Sequence, residues 1–363
     1  MRLFQNAGLA KHYRKQLDSL AQGCTTFETR LTVFLQDRYG ASHFLKPVLD
    51  RQANAFVTNG DDSTLQRYWA TEHGMSVNSD HCAILLAQIE EHRTEIFYNL
   101  DPVRYGSAFI RKLPSCVKKS ICWRAAPSPR SDFGSYDLVV CNFPGIIDSW
   151  RRMGYRAAYF APGHDPVMDG FADQRTRPID VLFVGTYTRY HVRRARVLEE
   201  VATLASRHRI VFHLDQSRLN RLAESPIGSL LPIGEHRRPN VIRRISSPPI
   251  FGRELYAMIS RSKIVLNGSI DMSGNERGNM RCFEAMGCGA LMVSDRGTYP
   301  SGFEEPENML TYDSPAEASA IIAHALSDDA RRNAIASRGH AMVRAQYSKE
   351  AQWEEFVKLI GHA

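Results

Sequence analysis

The sequence predicts an α/β protein made of two doubly wound domains, each with a parallel sheet between layers of helices. Apolar runs of strand length alternate with helix-like stretches along most of the chain, which is typical of parallel sheets. Turn-forming and charged residues from Ala161 to Pro178 interrupt the alternation, which restarts with a strong strand signal at residues 179–185. The length of 363 residues fits two such domains. We therefore expect ligands in a cleft between two halves, at the carboxyl ends of strands.

In the N-terminal half, apolar runs that end in polar residues predict buried strands over residues 94–99 and 136–142. Residues 157–160 predict a further strand, and residues 81–89 and 148–153 predict helices. Strands and helices in this order favour one doubly wound sheet.

In the C-terminal half, the alternation predicts strands over residues 179–185, 210–214, 263–267 and 290–295, and helices over residues 193–206, 253–260 and 280–286. The tail from Pro315 onward is helical in pattern, with a break near Tyr347 and Ser348. We therefore predict an N-terminal domain over residues 1–165, a C-terminal domain over residues 166–345, and a last helix over residues 346–363.

Composition restricts the class of protein. The apolar fraction of 43%, the absence of an apolar run near membrane-spanning length and the polar N-terminus predict a soluble, cytoplasmic protein. None of the seven cysteines forms a Cys-x-x-Cys pair, so we expect reduced, mostly buried thiols rather than a zinc or redox motif. The formal net charge of +7 indicates an anionic partner, such as a nucleotide, a phosphorylated substrate, a nucleic acid or an anionic membrane face.

The most informative segment joins the strand at residues 263–267 to the helix at residues 280–286 through a polar, glycine-rich loop. Such a loop lets backbone amides approach an anion, and the helix N-terminus adds a partial positive charge. Glu276 lies in the loop and Glu284 lies within the helix. One carboxylate could bind ribose hydroxyls while the other faces a sugar beyond a diphosphate. The spacing alone also fits two solvated glutamates.

This segment resembles the donor-binding signature of retaining GT-B glycosyltransferases, in which two glutamates are separated by seven residues. Here they are Glu276 and Glu284, followed by Ala-Met-Gly-Cys-Gly and an apolar strand. The chain is more closely similar to the CgeB-like branch of this group, over residues 248–256, 262–267, 278–285 and 302–308. The resemblance covers most of residues 136–356.

The resemblance implies the GT-B fold, with two Rossmann-like domains facing a cleft and a C-terminal helix that crosses back to the N-terminal domain. An apolar stripe suits that helix to such a contact; its members are Trp353, Phe356, Val357 and Ile360. The implied activity is transfer of a hexose from a nucleotide sugar, such as a UDP- or GDP-sugar, with retention and without metal. The implied acceptor is a glycan, a lipid-linked glycan or a protein, in cell-envelope polysaccharide synthesis.

Site residues carry over from the family by position. Glu284 corresponds to the ribose-binding glutamate and Glu276 to the catalytic glutamate that contacts the donor sugar. The common Glu-Gly-Phe-Gly form is replaced here by Glu276-Arg277-Gly278-Asn279. The role of Glu276 therefore carries over from the family less directly than the role of Glu284. The donor-binding candidates of this segment are Asn275, Gly278, Asn279, Met280, Arg281 and Glu284.

A second segment points to the same site. A strand runs into the turn at Gly185 and Thr186, and Arg189, Arg193 and Arg194 follow. GT-B donor domains have such a turn against the diphosphate, where an arginine can neutralise the phosphates. The alternative is a basic helix face in contact with water. The turn is not G-x-G-x-x-G, so a dinucleotide cofactor is not expected.

Two further residues are weaker catalytic candidates. His164, in the connection between the domains, could touch donor or acceptor, although stabilising the turn is the more common role of such a histidine. Asp101 follows the strand at residues 94–99 and could serve as a base, although many such residues cap the next helix. No Asp-x-Asp motif is present, so neither a metal nor another cofactor is expected.

Other functions fit parts of the sequence. An epimerase that acts on nucleotide sugars would share the fold and the donor site. The arginine-rich stretches at residues 189–196, 237–238 and 243–244 would also suit a non-catalytic nucleic-acid-binding or surface-layer protein. Those stretches lack interleaved aromatic residues and known nucleic-acid motifs, so no nucleic-acid partner is expected. A peripheral contact with the inner, anionic face of a membrane is compatible with the charge.

Overall fold

The computed structural model describes residues 1–188, 191–268 and 274–363. The chain divides into two compact units, the first formed by Met1–Gly163 with Tyr347–Ala363 and the second by His164–Gln346. Each unit contains one six-stranded sheet, and all strand pairs in both sheets are parallel. The predicted architecture of two doubly wound sheets is therefore confirmed.

The sheet of the first unit has the order β2-β1-β3-β4-β5-β6. Its strands are β1 (Leu3–Ala7), β2 (Ala55–Asn59), β3 (Ile96–Asn99), β4 (Lys119–Trp123), β5 (Leu138–Cys141) and β6 (Ala157–Tyr159). Its helices before the crossover to the second unit are α1 (Lys11–Leu20), α2 (Phe27–Asp37), α3 (Lys46–Leu49), α4 (Ser63–Glu72), α5 (His81–Glu91), α6 (Ser107–Ile110) and α7 (Pro144–Arg152). Because β2 and β3 lie on opposite sides of β1, the winding direction reverses between β1 and β3.

Polar residues close the carboxyl ends of these strands. The Asn6 amide donates to Asn99 Oδ1 (2.9 Å), and the Gly60 N–H donates to Asn6 Oδ1 (2.9 Å). The Asn99 amide also donates to the Tyr136 hydroxyl at 2.6 Å. All of these side chains are buried, so the network fixes the strand ends where the winding reverses.

The sheet of the second unit has the order β12-β11-β10-β7-β8-β9. Its strands are β7 (Ile179–Gly185), β8 (Ile210–Leu214), β9 (Ser246–Ser247), β10 (Ser262–Leu266), β11 (Leu291–Asp295) and β12 (Leu310–Tyr312). Its helices are α8 (Val167–Ala172), α9 (Val192–Thr203), α10 (Arg218–Ala223), α11 (Asn240–Arg244), α12 (Gly252–Ser260), α13 (Met280–Gly287), α14 (Pro315–Ser327) and α15 (Asp329–Gln346). The winding direction reverses between β7 and β10.

The turn-rich stretch after Ala161 is more ordered than the sequence suggests, because it contains α8 and packs into the second unit. Arg177 fastens its end there, donating to the carbonyl oxygens of Ser262 (3.0 Å) and Cys288 (3.1 Å). The stretch therefore contains both the boundary between the two units and a helix of the second unit. Turn-forming residues obscured the six-residue helix, which is too short for a periodic pattern.

No helix in residues 1–188, 191–268 and 274–363 is both long and apolar enough to cross a membrane.

The last helix, α16 (Lys349–His362), packs on the sheet of the first unit. The Phe356 ring lies 4.8 Å from that of Tyr98 and 5.6 Å from that of Phe160. Of the predicted apolar stripe, Phe356 is fully buried but Val357 is 43% exposed, and Leu359 is buried in its place. The stripe is therefore rotated by part of a turn from the predicted one.

A buried lysine anchors the start of α16. Lys349 Nζ donates to the carbonyl oxygens of Ala41 (2.8 Å), Ser42 (3.1 Å) and Phe44 (2.8 Å), and to Gln352 Oε1 (2.8 Å). Four acceptors surround the ammonium group, which compensates for its removal from water.

We predict that Lys349→Met destabilises the first unit by about 3 kcal/mol or more, because the substitution removes four charge-assisted hydrogen bonds of a buried ammonium group. Lys358→Met on the exposed side of the same helix is the matched control, with an expected change within about 0.5 kcal/mol. Urea unfolding of both variants measures the difference. Equal losses would show that the Nζ contacts contribute little to stability.

Candidate functional site

The candidate site lies at the carboxyl ends of β7 and β10, where the winding of the second sheet reverses. Loops after adjacent strands leave in opposite directions at such a point, which opens a crevice above the sheet. Gly185 ends β7 and Thr186 follows it, and Asn267 and Gly268 follow β10. The two sequence segments predicted to form one site therefore lie side by side.

Arg194 reaches across both loops. Its Nη2 donates to Thr186 Oγ1 at 3.3 Å, and its Cδ lies 3.5 Å from the position that a Cβ on Gly268 would occupy. The lack of a side chain at Gly268 lets the arginine stem lie against the loop backbone. The guanidinium group of Arg194 is thus held at the end of β10, at the entry to the glycine-rich loop.

The other two arginines of this stretch differ from Arg194. Arg193 is exposed, and its Nη2 donates to the Asp313 carbonyl oxygen beyond β12 at 3.1 Å. Arg189 lies outside the described residues. Of Arg193 and Arg194, the geometry therefore favours Arg194 as the arginine that faces a ligand in the crevice.

The loop before α13 is held in shape by a buried arginine. Arg277 Nη1 donates to the carbonyl oxygens of Gly274 (2.9 Å) and Glu276 (3.0 Å), and its Nη2 donates to that of Arg296 (3.0 Å). Its Nε lies 2.7 Å from Asp295 Oδ2, and both side chains are at least nine-tenths buried. One guanidinium group thereby ties the loop to the carboxyl end of β11.

The backbone repeats this attachment. The Arg277 N–H donates to the Thr298 carbonyl oxygen and the Thr298 N–H donates to that of Asn275, both at 2.8 Å. Gly297 lies opposite, and a Cβ there would come within 2.4 Å of the Asn275 carbonyl oxygen. The segment from Asn275 to Arg277 thus adds a short strand-like pairing to the chain after β11.

A chain of amide contacts positions the start of α13. The Asn279 amide donates to Asn267 Oδ1 at 3.2 Å, and the Asn267 amide donates to Ser294 Oγ at 3.1 Å. The buried Tyr312 hydroxyl donates to the Asn267 carbonyl oxygen at 2.7 Å. The Asn279 side chain does not cap its own helix but bonds to Asn267. This contact fixes the end of β10 to the start of α13.

Glu284 is buried in the first turns of α13, with 5% of its surface exposed. Arg281, one turn earlier in the same helix, pairs with one oxygen of this carboxylate. Its Nη1 lies 2.7 Å from Glu284 Oε2. The oxygens of a buried carboxylate can accept hydrogen bonds from hydroxyl groups.

The remaining candidates of the loop and the helix start precede Glu284 in the sequence, and they differ in exposure. Asn275 is exposed, Glu276 and Met280 are half-buried, and Gly278 is buried with φ of 129°. A residue with a side chain would be strained at that φ, so glycine at residue 278 permits the turn into α13.

Cys282, on the buried face of α13, contributes no reactivity to the site. Burial is the main cause that raises the pKa of its thiol to about 12, and nearby Asp295 adds to it. The thiol therefore stays protonated near neutral pH, as expected of a structural cysteine.

His164 lies at the opposite end of α13 from the loop. A Cβ on Gly287, the last residue of the helix, would come within 3.0 Å of its Nδ1. The ring is buried and lies 2.8 Å from Asp169 through Nε2, and burial lowers its pKa. These contacts are those of a histidine that stabilises its turn.

Asp101 lies in the first unit, at the reversal between β1 and β3. A Cβ on Gly8, just after β1, would lie 3.2 Å from the Asp101 Cβ. Arg104 Nε lies 3.4 Å from Asp101 Oδ2 and Arg104 Nη2 lies 2.5 Å from Asp61 Oδ1. Burial, and to a smaller degree the charge of Asp61, raise the pKa of Asp101.

The sequence predictions missed the residues that hold the site together. Arg277 entered them only as a departure from a family pattern, and Asn267 and Tyr312 did not enter at all. A polar residue directly after an apolar strand, as at Asn267, is the signal that could have identified one of them. Nothing in the spacing indicated that Arg277 points inward to Asp295.

In the described parts of the chain, no group of three or more histidine, cysteine or acidic residues could hold a metal ion.

Residues 228–358 match a family model described as glycosyl transferase-like. No curated protein sequence matches the chain. Among solved structures, HepE of Anabaena in complex with UDP and glucose is similar over 100% of both chains, with a TM-score of 0.60 and 12% identity. A sucrose-phosphate synthase from Thermosynechococcus elongatus is similar over 100% of this chain and 99% of its own, with a TM-score of 0.55 and 13% identity.

A glycosyltransferase from Rickettsia africae is similar over 99% of this chain and 98% of its own, with a TM-score of 0.56 and 10% identity. At these identities the likeness establishes the fold. The chain therefore has the GT-B fold and carries a glycosyl transferase-like segment that includes α13 and its loop.

We predict that Arg277→Met destabilises the second unit by roughly 3–5 kcal/mol, because it removes the cationic side chain that pairs with the buried Asp295 carboxylate. Arg296→Met removes the exposed ion pair with Asp313 (2.6 Å) and should cost less than about 1 kcal/mol. Thermal unfolding of both variants compares the buried arginine with its exposed neighbour. If the Arg277→Met variant has the same melting temperature as the wild type, the guanidinium group does not hold the loop.

Proposed function

We propose that this GT-B chain with its glycosyl transferase-like segment is an enzyme that transfers a sugar from a nucleoside-diphosphate sugar to a glycan, lipid or protein acceptor. One observation carries the proposal. At the winding reversal of the second sheet, Arg194 lies against Thr186 after β7 and Gly268 after β10. The contact of Asn279 with Asn267 joins the end of β10 to the start of α13, the helix that carries the buried Glu284. An arginine, a helix start and a carboxylate are groups that suit a diphosphate and a ribose.

The diphosphate is proposed to bind between Gly185, Gly268 and the start of α13. Arg194, whose stem lies against Gly268, supplies a planar group that can donate two parallel hydrogen bonds to phosphate oxygens. The helix start favours negative charge in the same place. Together these groups would stabilise the departing nucleoside diphosphate as its bond to the sugar breaks.

Glu284 is proposed to bind the ribose. With Oε2 paired to Arg281, the carboxylate is fixed in one orientation and can accept hydrogen bonds from the vicinal hydroxyls. Burial strengthens such bonds because water does not compete for them. HepE, which has the same fold, is known in complex with UDP-glucose, and UDP is accordingly the first nucleotide to test.

Glu276 is proposed to face the donor sugar. It lies within the part of the loop that Arg277 holds, and the proposed arrangement puts it on the sugar side of the diphosphate. We further propose transfer with retention, in which the leaving phosphate takes the acceptor proton on the same face. The support for retention is the spacing of Glu276 and Glu284, which the retaining group shares.

The acceptor is proposed to bind at the winding reversal of the first sheet, where Asp101 lies. Asp101, Arg104 and Asp61 lie together there and provide hydrogen-bonding groups for a hydroxylated substrate. A glycan or lipid-linked glycan of the cell envelope fits this chemistry.

Calorimetric titration of the full chain with UDP, GDP and a short single-stranded oligonucleotide tests the nucleotide class. Saturable binding of one nucleoside diphosphate in preference to the oligonucleotide is the expected result. The matching nucleotide sugar, incubated with and without acceptors, then tests the reaction. A changed sugar released without any acceptor would identify an epimerase, and preference for the oligonucleotide would overturn the proposal.

Glu284→Ala should weaken nucleoside-diphosphate binding well over tenfold, since two charge-assisted hydrogen bonds contribute about 1.5–3 kcal/mol each. Calorimetry measures the dissociation constant, and an unchanged melting profile establishes that the fold is intact. Normal affinity in the folded variant would rule out Glu284 as the ribose ligand.

Glu276→Gln should lower kcat while the nucleoside-diphosphate dissociation constant stays close to that of the wild type, because the sugar lies beyond the diphosphate. The substitution keeps the size of the side chain and removes its charge. Steady-state transfer kinetics, together with the calorimetric titration, separate the two effects. Wild-type turnover would exclude Glu276 from the reaction.

Arg194→Ala should weaken nucleoside-diphosphate binding about thirtyfold, which corresponds to roughly 2 kcal/mol for a charged hydrogen-bonding group in a pocket. Arg193→Ala, its exposed neighbour, should bind within about twofold of the wild type. The same titration applied to both variants distinguishes them. Equal nucleoside-diphosphate affinities of the two variants would show that Arg194 does not bind the nucleotide.

A further inference from the structure

The segment between β8 and β9, residues 215–245, exposes a cluster of large apolar side chains. Leu219, Leu222, Ile227 and Leu231 are 47%, 42%, 67% and 41% exposed. Single exposed apolar residues are ordinary on protein surfaces, but a cluster of them marks an interaction site. Four within thirteen residues form such a cluster.

The backbone of this segment folds back on itself. Leu219 and Leu222 are three residues apart in α10 and therefore lie on one face of it. The chain then folds back, because a Cβ on Gly228 would lie only 1.8 Å from the Leu222 carbonyl oxygen. The Leu231 N–H donates to the Gly228 carbonyl oxygen at 3.3 Å, which keeps Leu231 in the same turn. We call these four residues the apolar cluster.

Arginines are interspersed with the apolar cluster. Arg218 and Arg221 are exposed and alternate with its leucines along α10, and within the described residues neither has an ion-pair partner. Arg238 differs, because it is buried and paired with Glu224 at 2.6 Å. Over residues 215–245 the sequence has six arginines against three acidic residues, so the segment is strongly basic.

The position of this surface relates it to the candidate site. The segment leaves the sheet at Asp215, whose N–H donates to the Gly185 carbonyl oxygen at 3.0 Å. It therefore begins at the carboxyl edge of the second sheet, next to the turn after β7.

We propose that the apolar cluster and its arginines dock the protein on the surface of a bilayer that contains anionic lipids. Leucine and isoleucine side chains of an exposed surface can enter the boundary between headgroups and acyl chains. Arginines beside them are attracted to the negative surface potential of such a bilayer. The segment has no phenylalanine, tyrosine or tryptophan, whereas surfaces that bind single-stranded nucleic acid commonly use aromatic stacking. Charge and apolarity in one patch therefore favour lipid.

Sedimentation of the full chain with lipid vesicles tests the docking, and it needs neither nucleotide nor acceptor, so its outcome is independent of the proposed function. One set of vesicles mixes phosphatidylglycerol with phosphatidylcholine and the other is phosphatidylcholine alone. The test variants are Leu222→Asn with Ile227→Asn, and Arg218→Gln with Arg221→Gln. The control variant, Val77→Asn with Arg67→Gln, changes an exposed valine and an exposed arginine of the first unit.

We expect binding to the vesicles with phosphatidylglycerol, weaker binding at high salt and little binding to phosphatidylcholine alone. Each test variant should bind about tenfold more weakly or worse, and the control should bind like the wild type. Matching melting profiles establish that the variants are folded. Absence of binding to the anionic vesicles, or test variants that bind as well as the control, would overturn the proposal and leave an acidic protein surface as the partner of this patch.

Discussion

The buried contact between Arg277 and Asp295 is the interaction on which the candidate site depends. It connects the loop before α13 to the carboxyl end of β11. The same guanidinium group also donates hydrogen bonds to the carbonyl oxygens of Gly274 and Glu276 in that loop. A glycine-rich loop alone would be too mobile to present amides to an anion in a fixed arrangement. The contacts of Arg277 hold the loop backbone in one conformation despite its glycines.

The rest of the site follows from the topology of the second sheet. The winding reverses between β7 and β10, and such a reversal is where ligands commonly bind in open α/β sheets. Arg194 and Asn267 then connect the loops to each other and to α13. The first sheet has the same kind of reversal, closed by Asn6 and Asn99 and bordered by Asp101. Each unit thus presents polar groups at the equivalent point of its sheet.

The fold was largely predictable from the sequence, and the site only in part. Apolar runs of the second unit identify its main strands, because strands buried on both faces must be apolar throughout. The site segments were recognisable because glycines and charged residues follow those strands directly. The partners of Arg277 could not be predicted, since Asp295 is distant in sequence and meets it only after the sheet has formed. The choice of Arg194 over Arg193 likewise depends on which face of α9 meets Gly268, which periodicity near a helix start does not define.

A crystal structure of the full chain with bound UDP tests the central claim most directly. The account predicts that the diphosphate lies at the carboxyl ends of β7 and β10, within hydrogen-bonding distance of Arg194, with the ribose hydroxyls on Glu284. UDP bound elsewhere on either unit, with Arg194 and Glu284 away from it, would contradict the account.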